Sequence, residues 1–292
     1  AELRPMESVS AAVAAFHGTA SPRRRAESLR RPLLQAVAAR REQVERKRES
    51  LQRALARAER AAELRAAGEA ILASLAQIAP GQRELVFDGA TVELDPDASP
   101  LANAERYFAE YRKARDAGKV VPERLQEVEY ELRYLDELAI QIEHAEDERQ
   151  LAALQREIVA PSGASLANEQ RQRPRTGGRL VTVRRFRFDG FEVLAGATVS
   201  GNEEVTFRLA APDDLWLHAR GVPGAHVVIR SGGRRVPEHV VRQAASLAAF
   251  YSRARDEGAA AVDVCERRHV RRPRGAPPGL VTYVQERTVR VA

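Results

Sequence analysis

The stretch Val183-Arg-Arg-Phe-Arg-Phe-Asp-Gly-Phe-Glu-Val-Leu-Ala-Gly196 decides the kind of fold that ends the chain. Apolar and polar residues alternate on both sides of Asp189-Gly190, a pair that favours a two-residue hairpin turn. An amphipathic helix is predicted from Pro237 to Gly258, and further strands are predicted at 204–210, 215–219, 226–229, 260–266 and 280–291. We therefore predict a compact, mostly antiparallel α+β domain over residues 184–292.

Upstream of this hairpin, the apolar period changes from two residues to seven. In residues 26–66 one seam holds Val37, Val44, Leu51 and Ala58. The companion seam is less regular, with Leu34, Arg41, Arg48, Leu55 and Ala62. Residues 118–157 repeat the pattern more cleanly, with seams at Leu125, Leu132 and Ala139, and at Val128, Leu135 and Ile142. Both segments are typical of coiled-coil helices.

The two helices flank one insert at 67–117, so they must return past each other as an antiparallel arm. The insert contains a hairpin signal at Asp88-Gly89 and a helix start at Ser99-Pro100, predicted to run to about Ala117. The arm could close within one chain or between two. A connecting segment at 1–25 and a basic linker at 158–183 complete the predicted organisation. Since the chain begins at Ala1, we expect a piece of a longer polypeptide.

The charge balance permits a polyanionic partner but does not require one. Lys and Arg number 47 against 41 Asp and Glu, giving a net charge of +6. The single cysteine, Cys265, excludes an internal disulfide and a multi-cysteine zinc site. No stretch approaches the roughly 20 apolar residues of a membrane span, and no signal-peptide core opens the sequence. We expect a cytoplasmic protein.

The most specific-looking segment is Asp213-Asp214-Leu-Trp-Leu-His-Ala-Arg220. Strand alternation places Trp216 and His218 on one face, and the two aspartates are expected to be solvated caps of the preceding turn. This arrangement disfavours metal or acid–base chemistry that would use the aspartates with His218. Two interpretations of Trp216 and His218 remain open: a buried tryptophan beside a hydrogen-bonded histidine, or a surface on which bases stack. The following turn, 221–226, lacks the Lys-Ser/Thr of a phosphate loop. No catalytic, cofactor or metal site is predicted.

Three arginine-rich patches are candidates for binding the phosphates of RNA. The densest, residues 267–274, places six basic side chains beside a Pro/Gly loop. The candidate RNA contacts of the whole domain are Arg184, Arg185, Arg220, His226, Arg230, Arg267, Arg268, Arg271, Arg272 and Arg274, with Trp216 and His218 as candidate stacking residues.

Several strings closely resemble the C-terminal R domain of the NFACT family, long labelled fibronectin-binding-protein-A-like. The strings are 191–196, 202–207, 211–220, Val222-Pro-Gly-Ala-His-Val-Val-Ile-Arg230 and Gly275-Ala-Pro-Pro-Gly-Leu-Val-Thr-Tyr283. Leu94-Asp-Pro96, Ser99-Pro100 and Asn103-Ala-Glu-Arg-Tyr-Phe108 are similar to the family's middle region. The resemblance covers essentially all of 184–292.

This resemblance implies a non-enzymatic factor of ribosome-associated quality control. Such a factor would bind tRNA and the obstructed large ribosomal subunit, through rRNA and stalk-base proteins. It would support template-free addition of an alanine tail to the stalled nascent chain, while the ribosome makes the peptide bonds. The family resemblance implies no cofactor, no membrane partner and no small-molecule substrate.

Two departures from the family pattern are visible. The family's N-terminal domain and its helix-hairpin-helix segment have no apparent counterpart, so the chain is expected to supply only coiled-coil and R-domain binding. The family commonly has Gly-Arg-Asn where this chain reads Gly196-Ala197-Thr198, which removes one phosphate contact. Two alternative functions stay open, a fibronectin-binding surface adhesin and a coiled-coil scaffold without an RNA role.

Overall fold

The structure is a computed structural model that describes residues 22–159 and 182–291. The segments predicted at 1–25 and 158–183 fall largely outside these residues. The chain divides into two compact units, one made of residues up to 43 together with those from 130 onward, and one made of 44–129. The predicted α+β class is confirmed, with the long helices before residue 160 and a six-stranded antiparallel sheet after residue 182.

Within residues 22–159 the structure describes four helices: α1 Pro22–Glu59, α2 Ala61–Ala73, α3 Pro100–Glu143 and α4 Glu148–Val159. The helix expected to end near Ala117 instead continues as α3, through Gly118 and Pro122. A glycine costs a helix only about 1 kcal/mol, and neighbouring packing offsets this. Helix α3 ends at Glu143 instead of running on to 157, and the Asp147 carboxylate accepts a hydrogen bond from the Gln150 N–H at 2.8 Å, which starts α4.

Helices α1 and α3 pair in an antiparallel sense within each unit. In the first unit Arg30 donates to the Ile142 carbonyl at 3.2 Å, and Arg40 meets Glu131 at 2.5 Å. In the second unit Arg48 lies 3.9 Å from Glu129. The first seam of α1 buries Val37 and Val44 as predicted, but in the companion seam Leu33 is buried and Leu34, which the heptads predicted, is only half-buried. In this structure the arm therefore closes within one chain.

The second unit also contains the insert between these helices. Strands β1 Glu84–Phe87 and β2 Ala90–Glu93 form a hairpin around Asp88-Gly89. Both turn residues have positive φ, 49° and 76°, as such a turn requires. The hairpin packs on a small core formed by Ile71, Leu85, Val92, Leu94 and Ala104.

The last part of the chain is built on a six-stranded antiparallel sheet with the order β10-β7-β5-β6-β4-β3. Its strands are β3 Val183–Phe188, β4 Phe191–Gly196, β5 Leu215–Ala219, β6 Val227–Arg230, β7 Ala260–Glu266 and β10 Arg287–Val291. The predicted hairpin around Asp189-Gly190 joins β3 and β4.

Two layers cover the two faces of this sheet. Helix α6, Glu238–Phe250, packs its apolar side on one face. The other face carries helix α5 Val199–Glu204, the π-helical turn Val205–Leu209, and the short strands β8 Val270–Arg271 and β9 Thr282–Tyr283. The strand predicted at 204–210 is thus wrong, because Thr198 caps a helix there and accepts from the Gly201 N–H at 3.0 Å.

Candidate nucleic-acid interface

The basic segment, residues 267–274, leaves strand β7 and crosses the face opposite α6. Its backbone is anchored at the start, where the N–H groups of Arg267 and Arg268 donate to the carbonyls of Asp214 and Pro212 at 2.8 and 2.9 Å. Downstream of the segment, the Gly279 N–H donates to the Glu203 carboxylate at 3.1 Å. Because its start and the chain that follows it are both held by hydrogen bonds, the segment presents its side chains from an anchored backbone.

Two arginines of the basic segment lie over one aromatic ring. The Arg267 Cζ atom is 5.1 Å from the Phe207 ring centroid, and the Arg272 Cζ atom is 5.8 Å from it. The Arg267 Nε also donates to the Thr206 carbonyl at 2.8 Å. Arg272 forms an ion pair with Glu203. We name this group, Phe207 with Arg267, Arg272 and Glu203, the Phe207 platform.

The other arginines of the segment are exposed. Arg268 pairs with Glu266 at 2.6 Å. Arg271 and Arg274 form no side-chain hydrogen bond or ion pair with any described residue. Five arginines therefore face only two paired carboxylates, and this surplus of positive charge is relieved when a polyanion binds.

Three predicted contacts outside the segment are also accessible. Arg185 and Arg230, on neighbouring parts of the sheet, both pair with Glu192, at 2.5 and 3.3 Å. Arg220 uses its Nε to donate to both oxygens of Asp263, at 2.9 and 3.0 Å. A carboxylate already neutralises part of the charge of each of these arginines, so each should bind a phosphate more weakly than Arg271 or Arg274 does.

Asp214 joins two of the basic patches. Its carboxylate accepts from the N–H of Ser231 at 2.7 Å and from the N–H of Ala211 at 2.8 Å, while its carbonyl receives the N–H of Arg267. The side chain is buried, which corrects the expectation that both aspartates are solvated caps; Asp213 alone is exposed. The carboxylate therefore fixes the loop after Arg230 and the start of the basic segment together.

Arg184 is placed where it cannot meet RNA, which corrects its selection as a phosphate contact. It is only 7% exposed, and its guanidinium donates to the Gln150 side chain at 3.0 Å and to the Gly196 carbonyl at 3.3 Å. It also pairs with Glu146 at 3.3 Å and lies 4.1 Å from the Tyr251 ring centroid. We name these contacts of Arg184 the root cluster, because they join α4 and the preceding loop to the sheet.

Trp216 and His226 are buried as well. They belong to the core of the domain, which corrects their selection as a stacking residue and an RNA contact. The Trp216 indole N–H donates to the Thr206 hydroxyl at 3.2 Å, and that hydroxyl lies 2.9 Å from His226 Nδ1. The His218 ring stacks on Trp216 with centroids 5.7 Å apart. Burial lowers the pKa of His218 to about 4 and that of His226 well below its usual value. Both rings are neutral near pH 7 and bring no charge to a phosphate.

Residues 197 and 198, which depart from the family pattern, have structural roles in this chain. Ala197 is fully buried and its N–H donates to the Thr182 carbonyl at 2.8 Å. Thr198 is the N-cap of α5. Neither presents a side chain that could replace an arginine at a phosphate.

Phe207 and Glu203 contact the arginines of the basic segment but were not selected from the sequence, and Phe207 fell within the strand predicted at 204–210. The capping signal of Thr198 was the available clue. A helix from that cap places residues four apart on the same face, which brings Glu203 and Phe207 together beneath the arginines.

Two further properties of the described part of the chain bear on its chemistry. No group of three or more metal-ligating side chains is found among its residues. Within the same ranges, no helix is both long and apolar enough to cross a lipid bilayer.

The fold and its surface define an α+β protein in which a helical hairpin precedes a sheet domain with an open arginine segment. Two family models match the sequence. One, described as NFACT N-terminal and middle domains, matches residues 1–176, and the other, NFACT protein RNA binding domain, matches 182–273. The chain belongs to the NFACT family. The first match corrects the expectation that the family's N-terminal domain has no counterpart, since that model's description joins it to the middle domain.

Individual relatives agree with this family. The chain is 32% identical over 296 residues to the Rqc2 homolog RqcH of Bacillus subtilis, covering 99% of this chain and 51% of the relative. It is 31% identical to RqcH of Streptococcus pneumoniae R6, covering 82% of this chain and 44% of the relative. The chain thus spans about half the length of these relatives.

A solved structure shares the fold. It is the C-terminal part of the fibronectin/fibrinogen-binding protein from Streptococcus suis, with a TM-score of 0.66 and 27% identity. The match covers 91% of this chain and 95% of the solved one.

Proposed function

We propose that this chain is the RNA-binding part of a ribosome quality-control factor. The observation that carries the proposal is the basic segment, where Arg271 and Arg274 lie exposed on an anchored backbone and pair with no residue that the structure describes. The description of the matching family model, an RNA binding domain, supports RNA over other polyanions, and the family resemblance supports ribosomal RNA and tRNA as the RNAs that are bound.

The finer function follows from the family. The whole protein would bind an obstructed large subunit and tRNA in the cytoplasm, with stalk-base proteins among its contacts, and would support alanine tailing. This chain contributes binding and orientation, and the peptide bonds are made by the ribosome.

The physical basis of binding is the release of counterions from RNA. Each phosphate that an arginine neutralises frees condensed cations, so affinity falls as salt rises. Arg271 and Arg274 contribute most, because they break no internal ion pair on binding. Arg268 contributes less, because its ion pair with Glu266 competes with a phosphate for the guanidinium.

The test is binding of the protein to purified large ribosomal subunits and to tRNA across a salt series. The double variant Arg271→Gln/Arg274→Gln should lower affinity about tenfold and reduce the logarithmic salt slope by about 1 to 2. Arg242→Gln removes an exposed charge on α6 at the opposite face, so it is the control for the loss of a positive charge away from the basic segment, and it should change little.

An affinity that does not change with salt concentration would overturn the proposal. Ribosome binding that is salt-dependent but unchanged in the double variant would favour the scaffold alternative, in which the arm alone makes the contact.

A second candidate rests on the name of the Streptococcus suis protein that shares the fold, since it names fibronectin and fibrinogen as what that protein binds. For this chain the adhesin alternative predicts saturable binding to immobilised fibronectin that RNA does not compete. Absence of such binding, together with RNA binding, would decide for the ribosomal role.

A further inference from the structure

We infer that the Phe207 platform stacks an unpaired nucleobase of the bound RNA on the Arg272 guanidinium, while Arg271 and Arg274 hold the flanking phosphates. The inference rests on the proposed RNA-binding function and deepens it, because it names single-stranded RNA as the ligand at this surface.

The first step is that Arg272 is held in place before any ligand arrives. Its guanidinium pairs with one oxygen of Glu203, whose other oxygen accepts from the Gly279 N–H at 3.1 Å. Glu203 is largely buried and lies one helical turn before Phe207. The carboxylate therefore fixes the arginine over the ring.

The second step is that a fixed, paired guanidinium is better suited to a base than to a phosphate. The Glu203 carboxylate already neutralises the charge of Arg272 and occupies one of its terminal nitrogens. The side chain is still 39% exposed, and a guanidinium offers a planar, weakly hydrated surface. Bases stack readily on such guanidinium planes.

The third step is the contrast with the neighbours on either side. Arg271 and Arg274 are exposed, and no described residue pairs with their side chains. Their N–H groups are free to donate to phosphate oxygens. The basic segment thus alternates two roles along the chain, with charge contacts at 271 and 274 and a stacking surface at 272.

The fourth step concerns the form of the RNA. In an A-form duplex the bases are stacked on each other and the major groove is too deep and narrow for side chains to read. A base can reach Arg272 only from a loop, a bulge or a single-stranded end. The platform therefore selects unpaired RNA, whereas phosphate contacts alone would bind duplex and single strand alike.

The experiment compares a fluorescent single-stranded oligonucleotide, a duplex of equal length, and a single strand with abasic positions. Binding is measured by anisotropy at one salt concentration. Arg272→Lys keeps the charge and loses the plane, and the same change at Arg271 is the matched control. We expect Arg272→Lys to weaken single-strand binding about tenfold and Arg271→Lys to weaken it less than about twofold. Duplex binding should respond equally to both.

The abasic strand tests the inference on the unaltered protein, whatever the variants do to folding. It should bind at least about fivefold more weakly than the complete strand. Equal binding of the two strands, or equal effects of the two lysine variants, would overturn the stacking inference and leave the proposed function standing. Failure to bind any of the three RNAs, or large subunits, would overturn the proposed function itself.

Discussion

The root cluster and the basic segment use the same residue type in opposite ways. Arg184 is buried against Glu146, Gln150 and Tyr251, so every part of its guanidinium has a protein neighbour. Arg271 has none among the described residues and lies in solvent. The first residue joins elements of the fold, and the second is available to a ligand. The comparison teaches that in this arginine-rich chain the partners of a cation, and not its presence, indicate its role.

The largest expected effect is the loss of the root cluster. Arg184→Met should lower the free energy of unfolding by about 2–4 kcal/mol, because the buried Gly196 carbonyl loses its hydrogen bond from Arg184 and the Gln150 amide oxygen keeps only the Glu146 N–H, at 2.9 Å, as a donor. Urea denaturation measures this change. Arg187→Met, an exposed position on the same strand, should cost less than about 0.5 kcal/mol. Equal losses of stability at the two positions would contradict the distinction between arginines that join elements of the fold and arginines that are available to a ligand.

A smaller effect is expected from acid. Burial lowers the pKa of His218 from 6.5 to about 4. Between these two pH values, His218 is therefore protonated in the unfolded chain but neutral in the folded chain. The stabilising contribution is therefore present above pH 6.5 and is lost as the pH falls toward 4. Between pH 7 and pH 4.5 we expect about 2–3 kcal/mol of destabilisation from this group.

The measurement is urea unfolding at several pH values, with His218→Gln as the control that removes the titrating ring. The control should show a flatter profile. The arginines of the basic segment stay charged throughout, so RNA binding by the folded protein should not follow the same profile. A parallel loss of binding would mean that the two regions are coupled.

The smallest effect is expected at Arg220, which stands between the two classes. Its side chain is half exposed, but its partner Asp263 is almost fully buried. Tyr283 and Thr288 still donate to Asp263 at 2.8 Å after the arginine is removed. Arg220→Gln should therefore lower the urea midpoint only slightly, and less than Arg184→Met does. A loss as large as that of Arg184→Met would place Arg220 with the root cluster.

The parts of the fold governed by short-range patterns were predictable. Asp189-Gly190 and Asp88-Gly89 adopt the positive φ values that their turns require, and Val37, Val44, Val128 and Leu132 are buried along the arm. These features depend on neighbours within one turn or one heptad, so the sequence carries the whole signal.

The parts governed by distant contacts were not. Val205-Thr206-Phe207 has the composition of a strand, yet the Thr198 cap and the packing of Val205 under the sheet layer make it helical. Arg184 and Arg185 look alike in the sequence, and only the approach of α4 buries the first of them. The RNA site near 267–274 stays a prediction, and its aromatic support at Phe207 was not visible in the sequence because it depends on that unexpected helix.

The position of Asp214 has a consequence for genetics. Its carboxylate holds the loop after Arg230 and the start of the basic segment, although it faces neither solvent nor ligand. A screen for alleles that lose RNA binding would recover substitutions at Asp214 beside those at the arginines themselves. Such substitutions could be misread as the loss of a direct contact between an acidic residue and RNA. Their effect would instead come from the loss of the backbone support that aligns the two basic surfaces.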